Sequence, residues 1–115
     1  MRIVLTMLIL AGIACGQQPH KATLAQQKQC HQDAQAEKGE WYFGSHYSAS
    51  LNTCFVETIM KYEGEKGGVY TIEDLYEQGG ALCQDVQPTW RFTKQAQPLH
   101  SEAYLNCKRK TMGAP

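Results

Sequence analysis

At 115 residues the chain has room for one domain and not for two. Its 11 basic and 11 acidic side chains cancel. Without a basic excess there is no electrostatic case for a nucleic-acid partner. The one basic cluster, Lys108-Arg109-Lys110, suits a solvated tail or a helix C-terminus, where cations meet the negative end of the helix dipole.

Arg2 is followed by an uncharged run from Ile3 to Ala14. One positive residue, a short apolar run and then small residues form the pattern of an export signal. The run falls short of the about 20 apolar residues that a bilayer span needs. Residues 1–16 are therefore set apart from the fold as a signal peptide. Gly12-Ile13-Ala14-Cys15 resembles the lipobox of bacterial lipoproteins, with Gly12 where that motif usually has Leu. The resemblance implies lipidation of the Cys15 thiol, cleavage before it, and a chain held at a membrane by its acyl groups. One acyl chain holds a protein only marginally, so stable anchoring takes more than one. The alternative is an ordinary cut with Ala14 and Gly16 as the small pair and Gln17 leading a soluble secreted chain. Without Arg2, 10 basic and 11 acidic side chains remain, a net of −1.

Residues 17–22 read as a polar tether and 23–115 as a single domain. Thr23 is a good N-cap, and Gln26 three positions on completes a capping box. Leu24 to Lys38 is rich in Ala, Gln, Lys and Glu, which favour a helix, and Gly39 stops it. Its apolar stripe is thin. Cys30 and Ala34 share a face, with Trp41 continuing that phase if the helix extends. From Asn52 to Glu63, Cys54, Val56, Thr58, Met60 and Tyr62 alternate with Phe55, Glu57, Ile59, Lys61 and Glu63. The second set carries the charges, which predicts a strand buried on one face only. Glu63 to Gly68 is a glycine-containing turn. Val69 to about Tyr76 predicts a second strand, Gln78-Gly79-Gly80 breaks it, and Ala81 to Val86 predicts a third. Pro88 ends the strand region. Trp90-Arg91-Phe92 fits a short strand or a packed loop. Ser101 caps a last helix through about Lys110, with Leu99, Ala103 and Cys107 on one face. The fold expected is α+β: an N-terminal helix, a three-stranded antiparallel meander and a C-terminal helix.

There are five cysteines. An odd count in an exported chain calls for an explanation of the leftover thiol, and lipidation or removal of Cys15 supplies one. Four thiols then remain to pair in an oxidising compartment, with three pairings possible. Cys30 and Cys54 are 24 residues apart, as are Cys83 and Cys107, and each pair would join a helix to a strand. Cys30–Cys54 and Cys83–Cys107 are the expected bridges. A four-Cys zinc site would show close pairs such as C-x2-C, and there are none.

The stretch His46-Tyr47-Ser48-Ala49-Ser50-Leu51-Asn52-Thr53-Cys54-Phe55 resembles a His-Tyr-x4-Asn-x-Cys-Phe motif of small exported bacterial proteins of uncharacterised function. That resemblance implies an exported helix-plus-sheet domain with Cys54 in a disulfide. It implies no activity.

No reaction or cofactor is signalled. His31, His46 and His100 lie in separate segments without metal-ligand spacing. His31 and His100 read as solvent-exposed residues on helices. His46 precedes the main strand and is the one candidate base. There is no G-x-S-x-G elbow and no C-x-x-C. Glu73 and Asp74 are adjacent on a strand, so they point to opposite faces and cannot act as a pair. No metal, cofactor or catalytic residue is assigned. The aromatic run Trp41-Tyr42-Phe43 is too dense for one face, so part of it should be exposed. With His46 and Tyr47 it forms the candidate binding surface, since exposed aromatics are common anchors for protein partners. The expected function is that of an envelope protein-binding module with an unidentified envelope or extracellular protein as partner. The alternatives are a small envelope hydrolase using His46 and a secreted inhibitor-like protein, the latter by analogy of size and location.

Overall fold

The computed structural model describes residues 22–115. The signal peptide, Cys15 and all of the tether but Ala22 lie outside the described residues.

Helix α1 spans Leu24–Lys38 and begins with the capping box that the sequence predicts. The Thr23 hydroxyl accepts from the Gln26 amide, and the Gln26 side chain accepts from the Thr23 amide. Gly39 ends it with a positive φ of 56°, a conformation glycine adopts without a Cβ penalty. One 3-10 turn, Gly39–Trp41, leads into the sheet.

The sheet has four strands, not the three expected. They are β1 (Tyr42–Ser48), β2 (Thr53–Lys61), β3 (Gly68–Asp74) and β4 (Ala81–Gln87), in the order β1-β2-β3-β4, each antiparallel to the next. The unexpected strand is β1. Its pairing with β2 shifts register between Tyr42 and Gly44, and a bulge of this kind resets the inside–outside alternation. The sequence therefore shows no period of two there.

Helix α2 spans Glu102–Thr111, with the Ser101 hydroxyl accepting from the Tyr104 amide. The two helices cover opposite faces of the sheet. Helix α1 packs on β1 and β2, and α2 packs against β4. Two cores result. Cys30, Ala34, Tyr47, Cys54, Val56 and Leu75 lie under α1. Phe55, Tyr70, Ile72, Cys83 and Tyr104 lie under α2.

This two-sided cover changes the reading of β2. Thr53 through Thr58 are all buried, including Glu57 at 2% exposure. Phe55 and Glu57 of the charged set face α2 rather than water, while Lys61 and Glu63 stay exposed. The inward face of α2 also differs from expectation. Tyr104 is buried while Ala103 and Leu99 are exposed. Tyr104, Cys107, Lys108 and Thr111 form the covered side of α2.

Disulfides join Cys30 to Cys54 and Cys83 to Cys107. The four cysteines are thereby removed from metal binding and nucleophilic chemistry. Each bond ties one helix to one face. Bridges of this kind persist in oxidising compartments, which places the folded chain outside the reducing cytosol. Among the described residues no helix is long and apolar enough to cross a membrane.

Helix α1 also covers the outer edge of β1. The Gln27 side-chain amide donates to the Tyr47 carbonyl at 3.0 Å and accepts from the Tyr47 N–H at 3.1 Å. One side chain thus takes the place of a neighbouring strand and blunts an edge that would otherwise pair with another chain.

Candidate functional site

Neighbouring residues of β1 face opposite ways, which splits the aromatic run across the sheet. Tyr42 turns toward α1. Its hydroxyl bonds His31 Nδ1 at 2.7 Å and Ser45 Oγ at 2.9 Å, and the His31 and Tyr42 rings meet edge-to-face at 5.4 Å. Phe43 turns to the other face, 6.0 Å from the Tyr70 ring. Trp41 sits in the 3-10 turn and Phe43 one residue into β1, and each keeps nearly half its surface exposed, at 47% and 46%.

Trp41 does not stand alone. It lines a surface cavity of about 340 Å³ with Glu40, Ile59, Lys61, Tyr62, Glu63 and Glu65. Ile59 is paired with Tyr70 on β3, and Tyr70 with Asp85 on β4. The Trp90 ring lies 5.6 Å from Tyr70. The exposed Phe43 ring and the partly buried Trp90 ring thus both pack on the buried Tyr70, with Ile59 paired beside it.

The other two expected binding residues fall elsewhere. Tyr47 is buried under α1, and its hydroxyl donates to Asn52 Oδ1. His46 is half-buried in β1, and its Nε2 donates to the Ala114 carbonyl. Tyr47 and Asn52, which share the motif with His46, make their contact with each other. Of the five candidates, Trp41 and Phe43 are the exposed ones, while Tyr42, His46 and Tyr47 hold the fold.

Between the sheet and α2 lies a buried polar group that sequence reasoning missed. Glu57 accepts from the Tyr104 hydroxyl and pairs with Lys108 Nζ at 2.9 Å. Asp85 pairs with His100 Nδ1 at 2.8 Å and accepts from the Gln87 amide at 2.9 Å, with the Arg91 guanidinium at 4.0 Å. His100 is no surface residue. Its side chain is 6% exposed, packed 4.4 Å from the Tyr70 ring and 4.6 Å from the Tyr104 ring.

Environment sets the charges here. Burial pushes the Asp85 carboxyl up, but bonds from Gln87, His100 and the Ser101 backbone outweigh it and hold the group below its usual range. Burial raises the Tyr104 hydroxyl above its ordinary value, and its bond to Glu57 raises it further. Burial, then the Glu57 and Asp85 charges, raise Tyr70 in the same way. Both hydroxyls are therefore neutral at physiological pH, and that of Tyr104 donates to Glu57. No buried side-chain polar atom among the described residues lacks a partner, so this group is complete in itself. The signal that could have revealed it is Glu57 on a strand otherwise rich in apolar and Thr residues, which suits a central position better than a solvated one.

Among the described residues, no three His, Cys, Asp or Glu side chains gather closely enough to hold a metal ion. The one close His–carboxylate contact among them, His100 with Asp85, is closed off by Tyr70 and Tyr104. What the arrangement can do chemically is present a rigid aromatic surface. Comparison with protein-family models, curated proteins and solved structures finds no match to this chain.

Proposed function

We propose that this chain is a lipid-anchored protein of the bacterial envelope that acts by binding another envelope or extracellular protein. The observation that carries this reading is the exposure of Trp41 and Phe43, with Trp41 beside Ile59 and Tyr62, on a domain braced by two disulfides. Large rigid aromatics at the centre of an interface supply most of its binding energy. A covalently braced scaffold loses little conformational freedom when they are covered.

Anchoring through Cys15 is part of the proposal. It rests on the lipobox-like Gly12-Ile13-Ala14-Cys15 and on the even number of cysteines left once Cys15 is set aside. The resemblance to small exported proteins with the His-Tyr-x4-Asn-x-Cys-Phe motif fits the same location. The hydrolase alternative draws no support from the geometry, since His46 is engaged by the Ala114 carbonyl and has no carboxylate partner among the described residues.

Capture from solubilised envelope extract, with cross-linking before lysis, tests the reading. The wild-type chain is expected to retain a discrete partner that Trp41→Ala/Phe43→Ala loses. A control change at the exposed Leu24 on α1 should leave capture intact. Equal capture by all three chains, or by none, would refute it, provided that the variant melts at the wild-type temperature.

A further inference from the structure

The cavity beside Trp41 has a chemistry of its own. Its aromatic walls are Trp41 and Tyr62, 47% and 41% exposed, and Ile59 adds an apolar surface. Three acidic residues line it, Glu40, Glu63 and Glu65. The single cation, Lys61, is already paired with Glu65 at 3.6 Å. The lining therefore carries a net charge of −2 in a chain whose overall charge is near zero. Aromatic faces attract cations through the ring quadrupole, and carboxylates bind a guanidinium with two parallel hydrogen bonds.

The wall is also held in place. The β2–β3 turn closes with Tyr62 N–H donating to Gly67 O at 2.8 Å and Glu65 N–H to Tyr62 O at 2.9 Å. Trp90 clamps it from outside. Its backbone N–H donates to Lys66 O at 2.9 Å and its indole N–H to Glu65 O at 3.0 Å. A Cβ on Gly68 would collide with the Trp90 ring and with Met60 O, so the strand and the indole can meet this closely only at glycine. Gly64 and Glu65 both take positive φ, 86° and 56°, which aims this part of the turn tightly. The backbone of this wall needs no ordering when a ligand arrives, which lowers the cost of binding.

We infer that this cavity receives an arginine or lysine side chain from the partner, so that the protein recognised is a basic one. The inference rests on the protein-binding reading above and names the class of its partner. Charge complementarity selects this occupant. An acidic or uncharged segment would leave the net charge of −2 on the lining unmatched, and like-charge juxtaposition suppresses wrong partners.

The test is a titration of the full mature chain, in nonionic detergent micelles, with Ac-Gly-Arg-Gly-NH2 and with the same peptide carrying citrulline, the neutral isostere. The reporters are the two indole N–H resonances. The Trp41 signal should shift saturably with the arginine peptide. Citrulline should bind at least about fivefold more weakly, the difference between a charge-assisted and a neutral hydrogen bond. Glu63→Gln/Glu65→Gln should abolish that preference, and Trp41→Ala, followed by the backbone amides of residues 61–65, should weaken binding by about threefold. The Trp90 indole, fixed on Glu65 O, should keep its wild-type position in each variant and so report an intact turn. Equal shifts with both peptides, or none at Trp41, would overturn the inference. If capture of a partner depends on Trp41 and Phe43 but ignores Glu63→Gln/Glu65→Gln, this inference fails while the protein-binding reading stands. If no partner is captured, that reading fails, and the titration still decides what the cavity accepts.

Discussion

Replacing Cys30 and Cys54 by alanine should release α1 from the sheet while the sheet persists. The helix buries only Cys30 and Ala34 fully. Fifteen residues are marginal as an isolated helix in water. Beyond the bridge, its ties to the sheet and the adjoining β3 end include the Gln27 pairing to Tyr47, the Lys38–Glu73 ion pair and the Tyr76–Asp33 bond. All three reach the surface, where such contacts contribute little. Loss of a native bridge in a domain this small costs about 2–5 kcal/mol, against a typical total of about 5–15 kcal/mol. Hydrogen exchange should show α1 amides losing protection before those of β2 and β3. Removal of Cys83 and Cys107 should cost a similar amount but leave α2 better docked, because Tyr104 and Lys108 still engage Glu57. Equal, whole-domain loss of protection in both variants would contradict this ranking.

The second large effect is expected at Glu57. Lys108→Met leaves the Glu57 carboxylate buried with only the Tyr104 hydroxyl to bond, and should cost about 1–3 kcal/mol. The higher figures seen for fully buried pairs do not apply, since the Lys108 side chain is 34% exposed and water can partly replace it. Adding Glu57→Gln should recover part of the loss. A neutral amide still accepts from Tyr104, and no charge remains buried. The same group sets the pH limits of stability. The Tyr104 and Tyr70 hydroxyls have folded values above the ordinary 10.0. Their contribution is therefore complete below about pH 10 and is lost above it, as the unfolded chain alone ionises. Asp85 is held below its ordinary 3.8, so its contribution is present above that value and is lost as pH falls through the lower, folded one. Denaturant midpoints across pH should show both limbs. Tyr104→Phe should flatten the alkaline one.

What could be read ahead of the structure was what local chemistry decides. The Thr23–Gln26 capping box and the Gly39 stop depend on residues within one helix, and the two equal cysteine spacings coincide with the two bonds. What could not be read depended on partners far along the chain. Glu57 looks solvated until α2, nearly fifty residues later, covers its face. His100 looks exposed until Tyr70, Asp85 and Tyr104 close around it. Strand β1 was invisible because the shift at Tyr42/Gly44 breaks the alternation that would announce it. The candidate surface was half legible. The density of Trp41-Tyr42-Phe43 implied that some of it must be exposed, but not that Trp41 and Phe43 are the exposed ones. Ile59 and Tyr62 join Trp41 around its cavity through placement that no short motif encodes.

Intact mass analysis of the chain purified from its own membranes, alkylated before and after reduction, bears on the central claim most directly. The account predicts no alkyl label on positions 30, 54, 83 and 107 before reduction, four labels after it, and acyl groups on an N-terminal Cys15. Native thiols open to the reagent would remove the covalent frame that holds Trp41 and Phe43 rigid. An unmodified chain starting at Gln17 would remove the anchor.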